Sequence, residues 1–141
     1  MQLIIGGAFS GKRNIVQGMT QASSWISAYN GEALSTWQDN WRPHTTLVLE
    51  GWETWLKDEL SEQQTEDLRA RYQSFFLQLK AAEQKRSEEI ILIMLEVGRG
   101  LVPLNKKERQ LRDYLGWAAQ DAAALADEVH YVWNGLARKL K

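Results

Sequence analysis

Cysteine is absent from the chain. Disulfides, thiolate catalysis and cysteine-ligated zinc are thereby excluded. A charge excess of either sign is absent as well. Seventeen lysines and arginines stand against 18 acidic residues, a net charge of −1, so nothing in the bulk charge points to a nucleic-acid partner. No apolar run approaches the ~20 residues that a membrane-spanning helix needs. The amino-terminus has no basic stretch ahead of a long apolar one, so no signal peptide is expected. Histidine is scarce, at His44 and His130 only. What remains is an ordinary composition, 44% hydrophobic and 25% charged, and it predicts a cytoplasmic protein. At 141 residues one domain, 1–141, is expected, burying roughly two-thirds of its unfolded surface. Tryptophan is the exception: seven are scattered without period, read here as core and interface filling.

Hydrophobic patterning predicts alternating strands and helices. Leu3–Ile5, Ser24–Ser27, Thr45–Leu49, Ile90–Leu95 and Val129–Trp133 read as strands. The Ile90–Leu95 run lacks alternation, as a strand covered on both faces does. Helices are predicted over Lys12–Gln21, Glu32–Asn40, Gly51–Leu60, Thr65–Arg86, Lys107–Asp127 and Leu136–Lys141. On the Thr65–Arg86 helix, Leu68, Tyr72, Phe75, Phe76 and Leu79 form the apolar face. Glu66, Arg69, Arg71, Lys80, Glu83 and Lys85 are expected to be solvated. The alanines from Ala118 to Ala126 permit close approach to a sheet or to a second subunit. The fold class implied is α/β, P-loop NTPase-like, with a mostly parallel sheet of about five strands flanked by helices.

The residues from Leu3 to Asn14 read LIIGGAFSGKRN. Gly6, Gly11 and Lys12 stand at the spacing of a phosphate-binding loop, after a predicted strand and before a predicted helix. Such a loop turns backbone N–H groups inward at a helix N-terminus. Gly6, Gly7, Ala8, Phe9, Ser10, Gly11, Lys12 and Arg13 are therefore the candidate nucleotide-binding residues, with Lys12 on the terminal phosphates. The following position should carry a hydroxyl that holds magnesium; here it is Arg13. Ser10 lies three residues earlier. Glu50, ending the TTLVLE strand, is the candidate carboxylate holding Mg2+ through water.

The segments GGAFSGK, VLEGWETWL and EVGRGLVP, with RQLRDYLGWAAQDAAALADEVHYVWNGLARKLK, resemble the cobinamide kinase/cobinamide-phosphate guanylyltransferase family of cobalamin biosynthesis. The resemblance covers 89–141 most fully, then 3–12 and 47–56, and barely reaches 22–44. Glu96, Val97, Gly98, Gly100, Val102 and Pro103 keep the family's most specific segment. The resemblance implies phosphorylation of the aminopropanol arm of adenosylcobinamide with ATP or GTP, then transfer of GMP to that phosphate. It also implies a homo-oligomer resembling a trimer. Exposed tryptophans and the helix of alanines from 118 to 126 are the candidate contacts.

Departures from the family are specific. Arg13 replaces its serine, Glu50-Gly51-Trp52-Glu53 replaces its Asp-Cys-x-Thr, Leu95 replaces the asparagine before Glu96, and Ala119 replaces another asparagine. Its histidine-rich helix ahead of Arg-Pro is missing. His44 follows Arg42-Pro43 and is no positional match, and His130 is read as structural. No guanylyl-accepting histidine is identified. Two readings follow. The first is a shortened cobinamide kinase in which Lys12 and Glu96 are catalytic, Glu96 orienting the substrate hydroxyl or acting as its base, with guanylyl transfer lost. The second is a degenerate paralogue that binds nucleotide or serves as an assembly subunit. An unrelated small-molecule kinase would explain the loop but not Glu96 to Pro103.

Overall fold

Apolar runs bounded by glycine turns set the order of elements. The computed structural model describes residues 1–62, 67–97 and 105–141. The chain runs β1 (Gln2–Gly6), α1 (Lys12–Met19), β2 (Ser23–Ser27), β3 (Thr46–Glu50), α2 (Trp52–Ser61), α3 (Leu68–Arg86), β4 (Ile90–Leu95), α4 (Lys106–Leu125), β5 (Glu128–Trp133) and β6 (Leu136–Lys139). The described strands form one sheet in the order β2-β3-β4-β1-β5-β6. Neighbours from β2 to β5 pair in parallel, and β6 pairs antiparallel with β5. The α/β architecture follows the predicted alternation, with six strands among the described residues where about five were expected.

Strand side chains sort by their period of two. Leu3, Leu47, Leu49, Leu92 and Met94 join one core with Trp52 and Leu56 of α2, Phe76 and Leu79 of α3, and Leu115 and Ala122 of α4. Ile4, Val48, Ile91, Ile93 and Val132 form the opposite core with Val16 of α1. β4 is thus covered on both faces, which accounts for its unbroken apolar run. The tryptophans divide as well. Trp37, Trp41, Trp52 and Trp55 are buried, whereas Trp133 is largely exposed. Three buried indoles donate to backbone carbonyls: Trp52 to Leu49 at 3.1 Å, Trp55 to Glu32 at 2.9 Å and Trp41 to Thr45 at 3.0 Å. Burial of these large side chains therefore leaves none of the three indole N–H groups unsatisfied.

Three expectations change, and one falls outside the described residues. Leu136–Lys141, expected as a helix, contains β6. Asn134 and Gly135 both take positive φ, 49° and 75°, a two-residue turn whose twist suits an antiparallel hairpin; Trp133 then pairs with Leu136. Glu32–Asn40 holds only one short turn of 3-10 helix, Leu34–Thr36. The long helix is described from Leu68; its expected start at Thr65 and Glu66 lies outside the described residues. On its polar face, Lys80 and Glu83 are part-buried, not solvated. Lys80 reaches Asp127 at 2.8 Å and Glu83 accepts the Ile90 amide at 2.8 Å, closing the amino-terminal end of the sheet.

The helix that follows β1 packs with the Ile4 core, and the helix that follows β4 packs with the Leu3 core. The two connections thus leave adjacent strands on opposite faces. A crevice opens at such a switch, beyond the carboxyl ends of the strands.

Candidate functional site

Gly6 ends β1 at this crevice, and no other residue fits there. A Cβ on Gly6 would lie 2.4 Å from the Val132 carbonyl oxygen. The chain then turns, with the Ser10 amide donating to the Gly7 carbonyl at 3.3 Å. Phe9 forms a fully exposed tip at φ 58°. Gly11, at φ 97°, hands the chain to α1, whose first turn closes with Ile15 N–H on the Gly11 carbonyl at 3.1 Å. The β5–β6 turn braces the loop from outside: the Gly135 amide donates to the Ser10 carbonyl at 2.8 Å. Among the described residues the buried Ser10 Oγ has no hydrogen-bond partner.

Lys12 folds back over this turn, and its ammonium donates to the Gly7 carbonyl at 2.6 Å. Burial lowers its pKa from the ordinary lysine value, against the pull of Glu53 and Glu50. A desolvated ammonium held against a carbonyl is ready to exchange that partner for an anion. Residues Ala8 to Arg13 and Glu50 line one cavity of about 610 Å3, with Tyr29, Ile93 and Leu95 on its other walls. That volume suits a small-molecule ligand.

The sequence places Arg13 and Glu50 at one magnesium site; the fold pairs them directly. Arg13 Nε lies 3.1 Å from each Glu50 carboxylate oxygen, and its Nη2 donates to Oε1. The guanidinium also stands 5.6 Å from the Trp25 ring centroid. Burial pushes the Glu50 carboxyl up, but the fork from Arg13, with Trp25 and Ser27 beside it, outweighs burial and leaves the pKa below the ordinary glutamate value. Tyr29 donates to Glu53. Burial, then that acidic partner, raises the phenol pKa, so Tyr29 stays neutral. Trp25, Tyr29 and Glu53 carried no functional signal in the sequence, because only folding brings β2 and the start of α2 beside the loop.

Magnesium fits this donor set poorly as it stands. The position for a hydroxyl ligand brings a guanidinium, and that guanidinium covers both oxygens of the nearby carboxylate. Glu96 follows Leu95, which lines the cavity, but is not itself among the lining residues. Its amide donates to the Gly6 carbonyl at 2.8 Å, and its carboxylate accepts from the Tyr131 hydroxyl at 2.7 Å. The rest of the segment that it opens, Gly98 to Pro103, lies outside the described residues. His44 is exposed ahead of β3, its amide on Glu88 at 3.0 Å. That is the far end of the strand from Glu50. His130 sits within β5, its ring 3.1 Å from Glu128.

Comparison with known proteins adds the family. The family model described as cobinamide kinase / cobinamide phosphate guanyltransferase matches residues 19–140, starting beyond the Gly6–Arg13 loop. The bifunctional adenosylcobalamin biosynthesis protein CobU of Salmonella typhimurium is 43% identical over 63 residues, 45% of this chain and 35% of that protein. The protein of the same name from Escherichia coli is 40% identical over 63 residues, with the same shares of 45% and 35%. The chain is therefore matched to about a third of the length of these curated relatives. The family match, by contrast, extends over most of the chain: this protein belongs to the cobinamide kinase / cobinamide phosphate guanyltransferase family.

Proposed function

We propose that the chain is a nucleotide-binding domain that holds the triphosphate of ATP or GTP in the Gly6–Arg13 loop and works as a shortened cobinamide kinase. One observation carries this reading: a glycine loop with Lys12 folded over it opens into a cavity of about 610 Å3 beyond the carboxyl end of the sheet. In this reading the Lys12 ammonium leaves the Gly7 carbonyl for the terminal phosphates and offsets charge that develops there during transfer. Glu96, steadied by Tyr131, orients the hydroxyl of a cobinamide-like acceptor or takes its proton. Glu50 is assigned the metal side only when Arg13 releases it. Dependence on magnesium is therefore weaker than in a full phosphate loop.

Guanylyl transfer is assigned as lost. It needs a nucleophilic imidazole beside the α-phosphate. From His44 to Glu50 the strand spans roughly 20 Å at ~3.3 Å per residue, which argues against an in-chain role for His44. A second reading is favoured by the Arg13–Glu50 pair: a paralogue that keeps the ligand without turnover. Calorimetry with ATP, GTP and cobinamide, each with and without magnesium, followed by a phosphorylation assay, separates the readings. Nucleotide and cobinamide binding with product supports the kinase. Nucleotide binding without product supports the paralogue. No nucleotide binding contradicts both. Retention of label from α-labelled GTP, lost in His44→Ala, would restore the bifunctional reading.

A further inference from the structure

Position 13 is where a phosphate loop of this spacing carries the hydroxyl ligand of a metal ion. Here the side chain is itself a cation, and it is held in place. Two of its nitrogens, Nε and Nη2, face the Glu50 carboxylate, while the indole of Trp25 flanks it at 5.6 Å. Glu50 is only 2% exposed, so its negative charge requires a cationic partner. The Arg13 side chain, by contrast, is 56% exposed. It lines the same cavity as Lys12. A guanidinium has five N–H donors in a planar fork, and Glu50 engages the Nε and Nη2 edge. The Nη1 edge is not used by that carboxylate. This is the arrangement of a cation that bridges a fixed carboxylate and a second, incoming anion. Arginine does this well with phosphate, because its fork meets two oxygens at once.

On the nucleotide reading above, we infer that Arg13 is a built-in counter-ion standing in for the metal, bridging Glu50 and the phosphates, so that the preferred ligand is a metal-free nucleoside triphosphate. The physical reason is charge. Lys12 and Arg13 bring two positive charges against those of Glu50 and Glu53. Arg13 commits its own to Glu50, so a magnesium ion riding on the phosphates gains no open carboxylate from Glu50. Displacing Arg13 to admit the ion would break the fork and leave the guanidinium without its fixed partner. Magnesium therefore opposes binding here, the reverse of its effect at a loop that ends in a hydroxyl.

The test is titration calorimetry of the protein with ATP and with GTP at matched ionic strength, once in EDTA and once in excess magnesium chloride. The expected result is tighter binding in EDTA by roughly tenfold, the size of one charge-assisted hydrogen bond. Arg13→Ser, which restores a hydroxyl and uncovers Glu50, should reverse the order, so that magnesium tightens binding. Arg13→Gln keeps amide donors for Glu50 without the charge and should lose the preference for EDTA. Circular dichroism checks that both variants are folded, and the wild-type comparison stands without them. Equal affinity in the two media, tighter binding in magnesium, or an EDTA preference that persists in Arg13→Ser overturns the inference and leaves the nucleotide reading intact. No binding in either medium removes the nucleotide reading and the inference together.

Discussion

Lys12 rests its ammonium on its own loop, 2.6 Å from the Gly7 carbonyl. A phosphate oxygen is a stronger partner, because both members of that bond are charged. Lys12→Ala should weaken triphosphate binding by roughly 1.5–3 kcal/mol, about ten- to a hundredfold. Unchanged affinity in calorimetry would detach Lys12 from the ligand. Glu50 carries the acid-side prediction. Its folded pKa is depressed, so its contribution to stability is complete above the unfolded glutamate value of about 4.3 and is lost as pH falls through the lower folded value. Urea midpoints measured between pH 7 and pH 3 should therefore drop less for Glu50→Gln than for the wild type. Parallel curves would mean that the Arg13 fork does not hold the carboxylate in solution.

At the scale of elements, the loop depends on a hairpin far away in sequence. The β5–β6 turn places the Gly135 amide 2.8 Å from the Ser10 carbonyl. Gly135→Ala forces a side chain onto φ 75°, at about 1–2 kcal/mol, and slackens this brace. The expected outcome is a lower urea midpoint together with weaker nucleotide binding; loss of stability with unchanged binding would mean that the brace does not shape the loop. The parallel strands were legible because each is a short apolar run bounded by turns. So were the loop and its helix, from glycine and lysine spacing alone. The last strand was misread because Leu136, Ala137, Arg138, Lys139 and Leu140 are good helix formers. The signal that outranks them, Asn134-Gly135 between two short runs, was present and passed over. The sequence put Arg13 and Glu50 at one magnesium site, but the direct fork between them was not legible. Neither residue names the other, and only the β1-α1 and β3 placements bring them into contact. The same holds for Tyr131 and Glu96.

Over the whole molecule, the candidate site gathers at one end of the sheet and closure at the other. The carboxyl end holds Lys12, Arg13, Glu50 and Glu96; the amino end is tied by Lys80, Glu83 and Asp127. Self-association is the expectation left for the exposed surface. Ala118, Ala122 and Ala126 are buried in the chain's own core, which leaves Ala124 as the exposed alanine of that stretch. Trp133, Leu136 and Leu140, each more than half exposed at the hairpin, are the better candidates. Light scattering at micromolar concentration should give more than one chain per particle, and a monomer would reject the expectation. The central claim, that the Gly6–Arg13 loop holds a nucleoside triphosphate, has a more direct test. Backbone amide resonances can be followed by nuclear magnetic resonance as GTP or ATP is added. The account predicts the largest shifts at the amides of Gly7 to Arg13, with a smaller one at Gly135 through its bond to Ser10. Shifts confined to another part of the sheet, or none at saturating nucleotide, would contradict it.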